Sequence, residues 1–175
     1  MMNTEKLKAI FLLQDLPEPE LQKIAAVAEL RDVKPETVLF RQGERMETFY
    51  MLLAGKVFLN CRTDSGMVLT LSEVGPGCSF GVSSFIAGTE GSATAICVKP
   101  SRIIALSGSV LWGLFQEDSN LGYTIMRRVV QLFKARMNQR TEQFLRSLAH
   151  HPDIQACLQG ELESEMKRSD RFISD

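Results

Sequence analysis

Val74–Val98 reads VGPGCSFGVSSFIAGTEGSATAICV, and the fold of the whole chain hangs on how this stretch is read. A Gly-Pro-Gly turn leads into a short apolar segment, a run of small residues and then a strand-like segment. Glycine tolerates positive φ at little cost, so such a chain can turn sharply and come close to a bound group. The spacing predicts about two helical turns from Phe80 through Gly81, Val82, Ser83, Ser84, Phe85 and Ile86 to Ala87, whose first N–H groups point toward Ser92, Ala93 and Thr94. That is the layout of an anion cradle. Glycines and small residues between two strands more often form an ordinary turn than a phosphate site, so the flanking sequence has to decide.

Upstream, the hydrophobic period is close to two. Thr37–Phe40, Phe49–Leu53, Val57–Cys61 and Met67–Leu71 are strand candidates, with turns at Arg41–Glu44, Ala54–Lys56 and Thr63–Gly66. The Ala54-Gly55-Lys56 turn reads as a hairpin between its two neighbouring strands. Downstream, Ala93–Val98 and Arg102–Leu106 read as a further pair around Lys99-Pro100-Ser101. Short strands at regular spacing with turn residues between them predict a mainly β fold, a double-stranded β-helix or jelly roll over residues 31–106. Residues 75–98 form its glycine-rich insert.

Helical patterns flank the strands. Leu7, Ile10, Phe11 and Leu13 recur at helical spacing, and Leu21, Ile24, Ala25 and Ala28 form the buried stripe of a second helix, so residues 1–30 are expected to be packing helices. Val110, Leu111, Leu114 and Phe115 mark a short helix within 107–150. Ser119 or Asn120 then caps a long one, in which Leu121, Ile125, Val129, Leu132, Phe133, Met137, Phe144, Leu145 and Leu148 lie along one broad side. So long a helix offers more apolar surface than one side of a sandwich covers, which predicts a homodimer through residues 119–148. Arg136 and Arg140 interrupt the stripe. Residues 151–175 form a polar tail of mixed charge.

Composition narrows the function. With 175 residues and 45 % hydrophobic content, the chain suits one core plus a helical extension. A net charge of −1 argues against a surface given over to nucleic acid. Cys61, Cys78, Cys97 and Cys157 form no C-x-x-C pair, and the N-terminal apolar run is too short to span a bilayer, so a soluble cytoplasmic protein without membrane attachment is expected. The two histidines, His150 and His151, are adjacent at a helix end, which suits neither a haem ligand nor a metal site. No nucleophile elbow, Walker loop or paired carboxylates stand out, so no catalytic residues are assigned and an enzyme is not expected.

Taken together, LFRQGE at Leu39–Glu44, LLAGKV at Leu52–Val57 and G-x-x-F-G at Gly77–Gly81 resemble the cyclic-nucleotide-binding domain of catabolite-activator-type regulators, kinase regulatory subunits and gated channels. The resemblance runs over about Phe11 to Leu148. It implies a phosphate-binding cassette close to F-G-E-L-A-L followed by R-[AS]-A-[TS], whose Glu accepts from the ribose 2′-hydroxyl and whose Arg pairs with the cyclic phosphate. Phe80, Gly81, Ser92, Ala93 and Thr94 fit that pattern, but Val82 stands at the Glu position and Gly91 at the Arg position. Two charged hydrogen bonds are each worth roughly 1.5–3 kcal/mol, so their loss predicts weakening by about two to four decades. A cyclic nucleotide or another small anion is therefore expected to bind weakly, against Val82, Ser83, Ser84 and the Gly91–Thr94 run. Family members close over the base with the long helix, where this chain offers Arg136 and Arg140. Arg62 and Arg102 read as solvated charges. The catabolite activators carry a DNA-binding module after the long helix; no such pattern follows here, so an unidentified protein partner is the expected output.

Overall fold

The computed structural model describes residues 2–86 and 88–149. The polar tail, the histidine pair and Cys157 lie outside the described residues. The chain divides into two compact units, Met1–Val130 and Gln131–Asp175.

The first unit opens with α1 (Thr4–Lys8) and α2 (Glu18–Val27). Asn3 caps α1 through a hydrogen bond from the Glu5 N–H, and Pro19 stands in the first turn of α2, where its missing N–H costs nothing. The periodic pattern expected to carry the first helix through Leu13 ends early: residues 9–15 are turns, in which Leu12 and Leu13 are nevertheless buried. Eight strands follow: β1 (Glu29–Val33), β2 (Val38–Phe40), β3 (Thr48–Ala54), β4 (Val57–Arg62), β5 (Val68–Val74), β6 (Ser79–Phe80), β7 (Thr94–Cys97) and β8 (Ser101–Ser107). They form two antiparallel sheets, ordered β1-β8-β3-β6 and β2-β7-β4-β5. This is a jelly roll, followed in the chain by α3 (Gly108–Glu117) and α4 (Ser119–Ala149).

Sheet order corrects two expected pairings. β3 and β4 do not form a hairpin, nor do β7 and β8; each turn carries the chain from one sheet to the other. The two crossover corners lean on each other. Gly55 holds φ at +98°, and a Cβ there would lie 2.3 Å from Ser101 Oγ and 2.5 Å from the Pro100 carbonyl oxygen. The Val98 N–H donates to the Lys56 carbonyl at 2.9 Å, which ties the corners together. By contrast, the Thr63–Gly66 turn does join a paired hairpin, β4 with β5.

The first sheet is covered on both faces. Along β3, Tyr50 and Leu52 point between the sheets with Val57, Leu59, Phe80, Ala95 and Ile103, whereas Phe49 and Met51 join Ile104 and Leu106 against the helices. Double burial is why FYMLL and IIAL read as unbroken apolar runs. The second sheet is covered on one face only, and β4 alternates accordingly: Val57 and Leu59 are buried, Asn60 and Arg62 are not.

α4 is capped one residue earlier than expected. Asp118, not Ser119 or Asn120, accepts from the Leu121 N–H at 3.1 Å, and Lys23 of α2 holds the same carboxylate at 2.6 Å. Leu121, Ile125 and Val129 are buried, and Arg128 donates to the carbonyls of Leu12 and Gln14, so the first turns of α4 are fixed to the N-terminal turns. The described part of the second unit is the remainder of α4, in which Phe133, Met137, Phe144 and Leu145 are exposed.

Candidate functional site

The glycine-rich stretch is a short loop stitched to the segment after β2. Instead of about two helical turns, it holds a four-residue 3₁₀ helix, Val82–Phe85. Gly81 enters it at φ +77°, with the Thr48 carbonyl only 2.8 Å from where a Cβ would stand, so glycine is required. The tighter helix consumes donors: the Ser84 N–H is bound to the Gly81 carbonyl at 3.1 Å. Thr89 Oγ1 donates to the Ser83 and Ile86 carbonyls at 2.6 and 2.9 Å and closes the loop. The loop is then sewn to its neighbour. The Met46 N–H donates to Thr89, the Gly91 N–H to Glu44, and the Gly43 N–H to the Gly91 carbonyl, at 2.8–3.0 Å.

Each anticipated site residue now has a place. Phe80 is fully buried between the sheets, stacked on Tyr50 at 5.3 Å between ring centroids, with Phe40 beside both rings. Val82 belongs to the cluster on the helix side of the first sheet, with Phe49, Leu106, Leu111 and Phe115, not to the cluster between the sheets. Ser83 is half-buried, and Ser84 is buried with no hydrogen-bond partner for its hydroxyl. Gly91 is buried, Ser92 exposed, and Ala93 packs between the sheets. Thr94 sits on the other face of β7 from Ala93 and Ala95; it is the cross-strand partner of Asn60, and its Oγ1 accepts from the Gln42 N–H at 3.0 Å. The stretch therefore brings Phe80 and Ala93 together inside the roll while directing Val82 and Thr94 elsewhere.

The charges follow suit. A Cβ on Gly91 would stand 3.1 Å from the Arg41 carbonyl oxygen and 3.2 Å from Met46 Sδ, so main chain and Met46 occupy the ground a longer side chain would need. Arg102 is committed at the surface to Asp32, at 2.7 and 3.2 Å, and that guanidinium holds the Asp32 carboxyl below its usual range. Arg62 lies on the solvent side of the second sheet. Arg136 is half-buried and Arg140 exposed along the part of α4 that belongs to the second unit.

Beside the 3₁₀ helix, a cleft of about 650 Å³ opens between Arg45, Glu47, Ser84, Ile86, Ser109 and Trp112. Phe85 and Trp112 on its wall belong to an aromatic chain of Phe49, Phe85, Phe115 and Trp112, with centroid spacings of 4.8, 6.1 and 6.3 Å, that joins the loop to α3. Trp112 and the Arg45–Glu47 pair were not singled out from sequence, because the feature that unites them is the packing of α3 on the loop. Among the described residues no group of three or more His, Cys, Asp or Glu side chains is placed to hold a metal ion, and no helix is long and apolar enough to cross a membrane.

The sequence model of the cyclic nucleotide-binding domain matches residues 30–118, half of the chain. The chain belongs to the cyclic nucleotide-binding domain family. Solved structures carry the same fold. A candidate cyclic nucleotide-binding protein from Geobacter metallireducens is 27 % identical, with TM-score 0.68 over 78 % of this chain and 99 % of that one. A cyclic nucleotide-binding domain from Methylobacillus flagellatus is 23 % identical, with TM-score 0.72 over 82 % and 81 %. The catabolite activator protein of Thermus thermophilus is 23 % identical, with TM-score 0.65 over 78 % and 63 %. No match is found among curated proteins. Domains of this family serve regulation, and α4 is the last element among the described residues, with no DNA-binding module beside it.

Proposed function

We propose that this protein is a regulatory cyclic-nucleotide-binding-like domain whose ligand pocket has diverged, so that it takes cyclic nucleotides weakly or holds another small anionic ligand, and that it signals through α4. The observation that carries this reading is the double loss of charge in the cassette. Val82 stands where the family places a ribose-binding carboxylate and packs toward the helices instead. Gly91 stands where the family places the phosphate-binding Arg and is walled in by the Arg41 carbonyl and Met46. A phosphate enclosed without a cation keeps most of its desolvation cost.

The same observation supports a second reading, in which the fold serves as a dimerising or docking module without a ligand. In either reading the working unit is a homodimer through residues 119–148. Val130, Phe133, Met137 and Phe144 recur at coiled-coil spacing and are 54–64 % exposed. Soluble chains seldom leave such a row uncovered.

Thermal unfolding in the presence of cyclic AMP or cyclic GMP separates the possibilities. A ligand at about 100 times its dissociation constant adds roughly 2.7 kcal/mol. A shift that appears only at millimolar nucleotide supports the diverged pocket, and no shift at any concentration supports the docking module. A saturable shift at micromolar nucleotide would overturn the divergence, since it would require a cation that the cassette does not supply.

A further inference from the structure

The outward face of the second sheet carries a basic groove that the family chemistry does not use. Asn60 and Arg62 alternate with Leu59 along β4 and so face away from the roll, and Thr94 on β7 is the cross-strand partner of Asn60. Gln42, from the LFRQGE segment, fixes the loop above them. Its N–H donates to Thr94 Oγ1 at 3.0 Å, its Oε1 accepts from the Arg62 N–H at 2.8 Å, and its Nε2 donates to the Arg62 carbonyl at 3.3 Å. One amide side chain thus completes the main-chain hydrogen bonding of Arg62 beyond the end of β7 and seats the Arg41–Gly43 turn over β4.

The result is a groove of about 550 Å³ bordered by Arg41 and Arg62, with Gly43, Asn60 and Thr94 between them and no carboxylate in its lining. Glu44 does not line it, being turned onto Arg41, where it accepts from the Arg41 N–H at 3.0 Å and lies 3.8 Å from Nε. That contact leaves the terminal nitrogens of Arg41 for a ligand. Asn60 Oδ1 is used by Thr70 at 3.0 Å, so its amide donors are what it has left to offer. A groove whose walls offer two planar guanidiniums and an amide donor suits an oxyanion with several acceptor oxygens. The confined size and the overall charge of −1 fit a small molecule better than a nucleic acid backbone.

We propose that this groove binds the phosphoryl group of a small molecule, with Arg41 and Arg62 gripping it from opposite sides, outside the roll and independently of any ligand within it. The test is a titration of the full chain with sodium pyrophosphate, followed by amide NMR, against sodium chloride at matched ionic strength. The expected result is a saturable shift of the Gly43, Arg62, Thr63 and Thr94 amides. Affinity should fall at least about 10-fold in Arg62→Gln and in Arg41→Gln, and stay unchanged in Arg102→Gln, whose guanidinium is committed to Asp32. Shifts that do not saturate, that sodium chloride reproduces, or that survive both groove substitutions would overturn the proposal. Cyclic AMP added separately would move the Ala93 and Ala95 amides inside the roll, so failure of this site and failure of the pocket reading give different spectra.

Discussion

Val82→Glu is the substitution that most directly sets the family pattern against the packing of this chain. In the family pattern a carboxylate at this position faces a ligand and is solvated or paired. Here the side chain is 8 % exposed, among Phe49, Leu106, Leu111 and Phe115. Unpaired in that cluster, the introduced carboxyl must take up a proton. Doing so at pH 7, against an unfolded-state pKa of about 4.3, costs about 3.7 kcal/mol. Lost valine packing and an unsatisfied hydroxyl bring the total to about 5 kcal/mol, a large part of the 5–15 kcal/mol that holds a typical domain together. The folded pKa is raised, so the destabilisation grows as pH rises above the unfolded pKa. Between pH 7 and pH 5 the variant should regain about 2.7 kcal/mol relative to the wild type. Urea denaturation at both pH values reads this directly. A variant with wild-type stability at pH 7 and no pH-dependent recovery would refute the placement of Val82, and would mean that the side chain reaches the pocket as it does in the family pattern. The same reasoning predicts that Val82→Glu combined with Gly91→Arg unfolds rather than gaining affinity for cyclic nucleotide, although the sequence resemblance alone points to a gain.

Gly91→Ala places its Cβ near an immovable carbonyl and the yielding Met46 Sδ, and should cost about 1–2 kcal/mol in urea denaturation, less when combined with Met46→Ala. Gly55→Ala is more severe: positive φ and a 2.3 Å approach to Ser101 should remove about 3 kcal/mol or more, seen as a large fall in the thermal midpoint. Met137→Glu, on the exposed row of α4, should convert the proposed dimer to monomer in sedimentation equilibrium without lowering the stability of the roll, and an unchanged mass would count against the dimer. The Lys23 hydrogen bond, followed by the Leu121 N–H, holds the Asp118 carboxyl below its usual range, so its contribution is present above the unfolded pKa and disappears as pH falls through the folded one. Asp118→Asn should therefore flatten the acid limb of the stability curve, as followed by circular dichroism.

The period of the sequence carried much of this architecture. Alternation in VFLN, turn residues at Thr63–Gly66 and the helical stripe from Leu121 to Val129 each reflect a preference that the local chain satisfies by itself, and all appear where the pattern places them. β1 and β6 were less legible. β1 (ELRDV) alternates only weakly and carries three charges, and β6 has two residues, so each is a strand because β8 or β3 supplies its hydrogen bonds.

What the sequence by itself determined is the family, and which residues, Val82 and Gly91, the resemblance sets at its carboxylate and arginine positions. What only the tertiary structure decided is where the remaining groups point. Crossing from sheet to sheet at Gly55 and Pro100 depends on two corners that meet across 45 residues of sequence, and no local period encodes that. The direction of Val82 depends on a 3₁₀ rather than an α-helical turn, since the tighter turn rotates each residue by about 120° instead of 100°. Arg41 and Arg62 share one groove because Gln42 supplies hydrogen bonds that β7 is too short to provide, a contact between segments whose sequences give no sign of one another.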